Sequence, residues 1–195
     1  LRLAGLVPRT GVLAPLGRTV VLRALDTTEA NRSNDLVLAA LRAHGATPLA
    51  VAEQLVGSGA LRPEHAAQLV SAGDELLADN PAGALQWFER AVALDPGNPD
   101  AHAARGQALL LLGRDPEALT SATSVLRAQA AQPRALAVLA GSYAARGLWT
   151  DAAETLAELS ASPDGQSGQS AVLNAASELL CRVLAEQADA DDAPP

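Results

Sequence analysis

Apolar positions recur along this chain at helical spacing, and the helical runs themselves recur. Ala84, Ala118 and Ala152 stand 34 residues apart. Gly113 and Gly147 keep the same step, as do Pro99 and Pro133, and Ala91, Val125 and Leu159 form a third series. A fixed period of this length predicts stacked helical hairpins. Such hairpins cannot bury their apolar faces alone, so a continuous core forms only when they stack, and the stack presents an extended surface for binding.

Helix starts and stops fall in the required order. Glu29 to Ala43 predicts a helix with Leu36, Val37, Ala40 and Leu41 on one face, stopped at Gly45. Thr47 reads as an N-cap and Pro48 as the first helical position of a second helix to Val56, with Leu49, Ala52 and Leu55 inward. Gly57 to Gly59 closes that hairpin and Pro63 starts the next helix. Three hairpins follow at 66–98, 99–132 and 133–162, split by Asp79-Asn80-Pro81, by Gly113 to Pro116 and by Gly147 to Trp149. Pro163 to Gly168 reads as a linker. Ser170 to Gln187 reads as a longer capping helix whose Val172, Leu173, Ala176, Leu179, Leu180, Val183 and Leu184 face one side. The expected organisation is a segment of mixed pattern at 1–28, a helical hairpin at 29–65, three repeats at 66–162, linker and capping helix at 163–187, and an acidic tail at 188–195. Within the first segment, Arg18 to Leu25 fits a strand and a helix start equally well.

Composition narrows the core. Hydrophobic residues make up 49% of the 195 positions but aromatics only 2%, so the interior must be built from Ala, Leu and Val. Alanine favours helices that approach closely. The expected fold is an all-α, right-handed solenoid. The chain has no Met, which leads to the expectation of a processed chain or a piece of a longer one. It has no Lys either, which removes Schiff-base chemistry and a phosphate-loop lysine. With a net charge of −8 and thinly spread arginines there is no basic stripe, so direct nucleic-acid contact is not expected. No apolar run is long enough to span a membrane, no signal peptide is evident, and the expected location is cytoplasmic.

Candidate chemistry is sparse. His44, His65 and His102 are widely separated and lack ligand spacing; exposed or capping roles are expected of them. Cys181 is the sole cysteine and lies among apolar neighbours, as a buried small hydrophobe would. Asp189, Asp191 and Asp192 lack the glycine turn and distal glutamate of a calcium loop. No nucleophile elbow or phosphate cradle is present. No catalytic residue, metal site or cofactor is assigned, and the chain is expected not to be an enzyme; an active site in the first segment is the least favoured alternative.

The repeating part resembles the tetratricopeptide repeat family. Gly73, Leu76, Ala84, Phe88, Ala91 and Pro96 in the first hairpin occupy the family's small, large, small, aromatic, small and proline positions. Gly106, Leu109, Gly113 and Ala118 match in the second, and Leu139, Ala140, Tyr143, Gly147, Trp149 and Ala152 in the third. There are departures: the first turn is one residue short, Arg105 stands where the family buries a leucine, and Ala122 stands where it places an aromatic. Leu36 to Leu55 also resembles, more weakly, the helical arm of large ATP-binding transcription regulators of the LuxR group.

The first resemblance implies that the first helix of each hairpin lines a concave groove. By register the groove positions are Asp100, Ala103, Gln107, Leu110 and Leu111, then Arg134, Ala137, Gly141, Ala144 and Ala145. Asp100, Gln107, Leu110, Leu111 and Arg134 are the candidate partner-binding residues, with the two leucines as anchors and Arg134 at the edge selecting an acidic neighbour. The cation-rich set of a carboxylate clamp is missing. The partner implied is a protein or peptide, an amphipathic helix fitting best, with homo-oligomerisation open. The second resemblance implies a sensor or scaffold segment of a signalling or transcription regulator. A stand-alone adaptor is the alternative.

Overall fold

The computed structural model describes residues 27–59, 61–128, 132–161 and 168–191, and every regular element among them is helical. The helices are α1 (Thr27–Ala43), α2 (Pro48–Ser58), α3 (Ala66–Leu76), α4 (Pro81–Leu94), α5 (Pro99–Leu111), α6 (Asp115–Ala128), α7 (Pro133–Ala145), α8 (Trp149–Ala161) and α9 (Gly168–Asp191). A single 3-10 turn, Pro63–His65, leads into α3. The chain divides into two compact units, Leu1–Leu61 and Arg62–Pro195.

In the first unit α1 and α2 pack as a hairpin. Gly45 turns between them at φ +70°, and Thr47 Oγ1 accepts the Ala50 N–H at 3.3 Å to open α2 at Pro48. The buried set is Leu38, Val51 and Leu55, with Leu41, Ala46 and Leu61 against it. This corrects the expected face of α1. Leu36 and Val37 are exposed and Leu38 is buried, because a helix has room for only one stripe against a single neighbour. The segment expected to lack a clear pattern loses Thr27 and Thr28 to α1, and its residues 1–26 lie outside the described residues.

In the second unit each of α4 to α9 packs on the helix before it, and α3, α5 and α7 also stack in a row, α3 on α5 and α5 on α7. That is the solenoid expected from the period. Local chemistry explains each joint. Asn80, Asn98 and Gln132 each accept a backbone N–H three residues ahead, from Gly83, Ala101 and Ala135, and the next residue in each case is a proline at the first helical position. Gly113 and Gly147 sit at φ +70° and +73° between the two helices of their hairpins. There the N–H groups of Arg114 and Leu148 reach back to the carbonyls of Leu109 and Tyr143, closing the helix end.

Alanine carries much of the core. Ala84, Ala118 and Ala152, the residues that marked the period, are each fully buried. Phe88 is fully buried too, and its ring lies so close to Gly73 that a Cβ built there would meet Phe88 Cε1 at 2.3 Å. The small–aromatic pairing of the first hairpin is thus a physical fit between α3 and α4. In the second hairpin, where Ala122 replaces the aromatic, Gly106 is filled instead by Ser121 and Val138.

The last helix differs from expectation at both ends. It starts at Gly168 and continues to Asp191, so residues 188–191 are helical where an acidic tail was expected; residues 162–167 and 192–195 lie outside the described residues. It buries Cys181 against α8 in a cluster with Leu136, Leu156 and Leu159. It does not bury the whole apolar set assigned to it: Leu179, Leu180 and Val183 are exposed.

Candidate protein-interaction face

The first helices of the three hairpins, α3, α5 and α7, set the candidate groove residues in neighbouring rows. Because the first turn is one residue short, Asp74 on α3 holds the register of Gln107 on α5 and Gly141 on α7. Arg134, at the start of α7, crosses this row. Its Nε donates to Gln107 Oε1 at 2.7 Å and its Nη2 donates to Asp74 Oδ1. The guanidinium lies 5.4 Å from the centre of the Phe88 ring. One side chain therefore ties together all three hairpins. The expectation that Arg134 stands at the groove edge for a partner's acid is corrected: Asp74 of its own chain already supplies that acid.

Asp100 is likewise engaged, accepting a hydrogen bond from Gln132 Nε2 at 2.9 Å. Ala103, expected in the groove, is fully buried. Leu110 is half-buried and its Cδ2 occupies the space above Gly141, so it joins α5 to α7. Leu111 is 56% exposed and is joined in exposure by Leu112 and Leu148 at the hairpin turns. Of the five candidate residues only Gln107 and Arg134 are joined to each other; Asp100 is held by Gln132, Leu110 by Gly141, and Leu111 stays exposed. Asp74, Leu112 and Leu148 are the members that the family register did not single out. The one-residue shortening of the first turn is the signal that would have found Asp74.

Arg105, which replaces a family leucine, lies half-buried on α5 and donates from Nε and Nη2 to Ser121 Oγ of α6, at 3.1 and 2.7 Å. Ser121 itself is fully buried. Beside them is a hollow of about 230 Å³ lined by Glu89, Arg105, Leu109, Glu117 and Thr120. Arg114 forks both its Nε and Nη2 onto the Glu117 carboxylate, and that hydrogen bonding holds Glu117 below its ordinary range and Arg114 above its own. The hollow is small and its charges are matched, which suits packing better than capture of a charged ligand.

The three histidines each bond a backbone group. His44 Nδ1 bonds the Ala40 carbonyl at 2.8 Å and His102 Nε2 bonds the Pro96 carbonyl at 2.9 Å. His65 is buried, and its Nδ1 accepts the Arg62 N–H at 3.2 Å to cap the entry to α3. Burial raises the Cys181 thiol above its ordinary value, opposite to what a nucleophilic cysteine needs. Among the described residues no three His, Cys, Asp or Glu side chains gather as metal ligands, and no helix is long and apolar enough to cross a membrane.

A family model for the TPR repeat matches residues 82–113. That span runs from α4 through α5. No curated protein matched the sequence. Among solved structures, the chain is similar to MamA 41-end from Desulfovibrio magneticus RS-1, with a TM-score of 0.51 and 21% identity over 67% of this chain and 73% of that one. It is similar to a crystal structure of MamA protein, with a TM-score of 0.55 and 16% identity over 82% of this chain and 88% of that one. It is also similar to a MamA RS-1 double mutant, with a TM-score of 0.54 and 16% identity over 83% and 97%. At these identities the likeness is one of fold. With the matched repeat, the 34-residue period and the stacked hairpins, it shows that this chain has a solenoid fold of the tetratricopeptide-repeat kind.

Proposed function

We propose that this chain is a non-catalytic scaffold that binds a protein partner, acting in the cytoplasm as a sensor or scaffold segment of a signalling or transcription regulator. Its repeats are 66–98, 99–132 and 133–162, with 29–65 as a separate hairpin. The observation that carries the reading is the Asp74–Arg134–Gln107 tie. It fixes α3, α5 and α7 as one rigid inner surface, and a preformed surface loses little freedom on binding. The partner we favour is an amphipathic helix laid across that surface and anchored at Leu111, the more exposed of the two candidate leucines. Leu110 acts beneath it, through Gly141.

Recovery of a partner from the source cell, followed by titration of wild type and Leu111→Ala, tests the site. Burying a leucine contributes about 1.5–3 kcal/mol, so the variant should bind at least about tenfold more weakly with an unchanged melting temperature. Equal affinities would move the site off this face. The regulator context rests on the weaker resemblance of Leu36 to Leu55. A nucleotide-binding module before this segment and a helix-turn-helix after it in the reading frame would support that context; their absence would favour the stand-alone adaptor.

A further inference from the structure

The net charge of the chain falls on one part of it. Residues 1–148 hold thirteen arginines and thirteen acids, whereas 149–195 hold nine acids and one arginine. The whole of the −8 therefore belongs to α8, α9 and the segments beside them. On α8, Asp151, Glu154 and Glu158 stand three and four residues apart, which sets them on one side of the helix, and all three are exposed. Glu186 is exposed on α9. Arg182, the one arginine, is bound to Glu178 of its own helix at 2.5 Å. Among the described residues no ion pair neutralises Asp151, Glu154, Glu158 or Glu186.

These acids edge a groove. Between α8 and α9 lies an open hollow of about 490 Å³, with Ala153, Ala157 and Ala185 as its floor and Glu154 and Glu186 on opposite rims. At Thr150 and Ala185 it meets a second hollow of about 170 Å³ that ends at Leu148 and Trp149. Small floor residues leave room that no side chain of the chain fills, and the far end offers an indole and a leucine 44% exposed. Charge selects the occupant. A nucleic acid or an acidic peptide would be repelled, and no three ligating side chains gather for a metal ion among the described residues. An arginine or lysine fits both features: its apolar stem lies on alanine while its head reaches a rim carboxylate. From Trp149 to Ala157 the groove follows eight residues of α8, about 12 Å, which roughly four residues of extended chain would cover. We propose that the α8–α9 groove binds a short extended segment of another protein, in which arginine or lysine alternates with small or apolar residues. This surface is separate from the α3–α5–α7 face and does not depend on the function proposed for it.

Trp87 and Trp149 are the two tryptophans, and only Trp149 lies at this groove, so intrinsic fluorescence reads its occupation. The test titrates the 195-residue chain with a short peptide of alternating Arg and Ala, against a Glu-Ala peptide of the same length. The Arg peptide should shift the emission, with the shift kept in Trp87→Phe and lost in Trp149→Phe, and rising salt should weaken it. Glu154→Gln/Glu186→Gln changes exposed side chains at constant shape and should weaken binding by about tenfold. Glu53→Gln/Glu89→Gln removes the same charge elsewhere and should leave the affinity within about twofold. Ala157→Phe fills the floor and should block the peptide while the helical circular dichroism is retained; if that variant loses its helical signal, the glutamine pairs decide alone. Binding no stronger than that of the Glu-Ala peptide would overturn the proposal. So would an emission shift that persists in Trp149→Phe, or equal losses in the two glutamine pairs, which would reduce the effect to overall acidity. Spermidine matching the Arg peptide in affinity would overturn it in favour of a small polycation. Binding that appears only when Arg2, Arg9, Arg18 and Arg23 are replaced by Gln would give the groove to the chain's own first segment instead.

Discussion

Single atoms decide how closely α3 and α4 approach. Phe88 is fully buried over Gly73, so truncating the ring or filling the glycine disturbs the same contact from opposite sides. Phe88→Ala should cost about 3–5 kcal/mol through the cavity left behind. Gly73→Ala should cost about 1–3 kcal/mol through overpacking, since its Cβ would collide with a ring that has little room to turn. Thermal melts read both, at about 2–4 °C per kcal/mol for a chain of this size. Gly141→Ala is the control: its Cβ would meet only Leu110 Cδ2, the far end of a flexible side chain, and should be tolerated better. Ser142 offers the opposite sign. It is fully buried with no partner for Oγ, and one period earlier the same position is Ala108. Ser142→Ala should raise the melting temperature, by about 1 kcal/mol of relieved desolvation. No gain would mean that the hydroxyl has a partner, such as water.

Between elements, one polar pair does the work of a missing apolar one. Arg105 on α5 stands where the family buries a leucine, and two hydrogen bonds to Ser121 on α6 hold its side chain there. A double-mutant cycle with Arg105→Leu and Ser121→Ala should show coupling of roughly 1 kcal/mol, toward the low end for a charged donor because Arg105 is half exposed. Additive losses would show that the pair contributes packing only. Whether helices begin and end was legible in the sequence at this scale, since caps and prolines act within three or four residues. The face a helix turns inward was less so. Leu36, Val37 and Leu38 are consecutive apolar residues on α1, and only the position of α2 chose Leu38.

Across the repeat unit, the Arg134 tie joins residues 60 positions apart in the chain. Arg134→Met keeps an apolar stem near Phe88 while removing the bonds to Asp74 and Gln107. It should destabilise by about 1 kcal/mol, since the pair is partly exposed. The loss should be smaller at high salt, where the wild-type pair is screened. An unchanged melting curve at low salt would remove the tie from the account of how the inner surface is held.

The sequence by itself determined the local units: the period, the capping residues, the proline starts, the glycine turns and the small residues that let helices meet. These follow from backbone and side-chain preferences that span a few residues, repeated at a fixed step. The tertiary structure alone decided what those units do to one another. It turned Arg134 from a candidate contact for a partner into a bond within the chain, buried Ala103, spent Leu110 on Gly141 and left the far face of α9 bare. Those outcomes depend on which helix lies opposite and how near it comes, and a register of 34 residues fixes which residue faces outward without fixing what is waiting there.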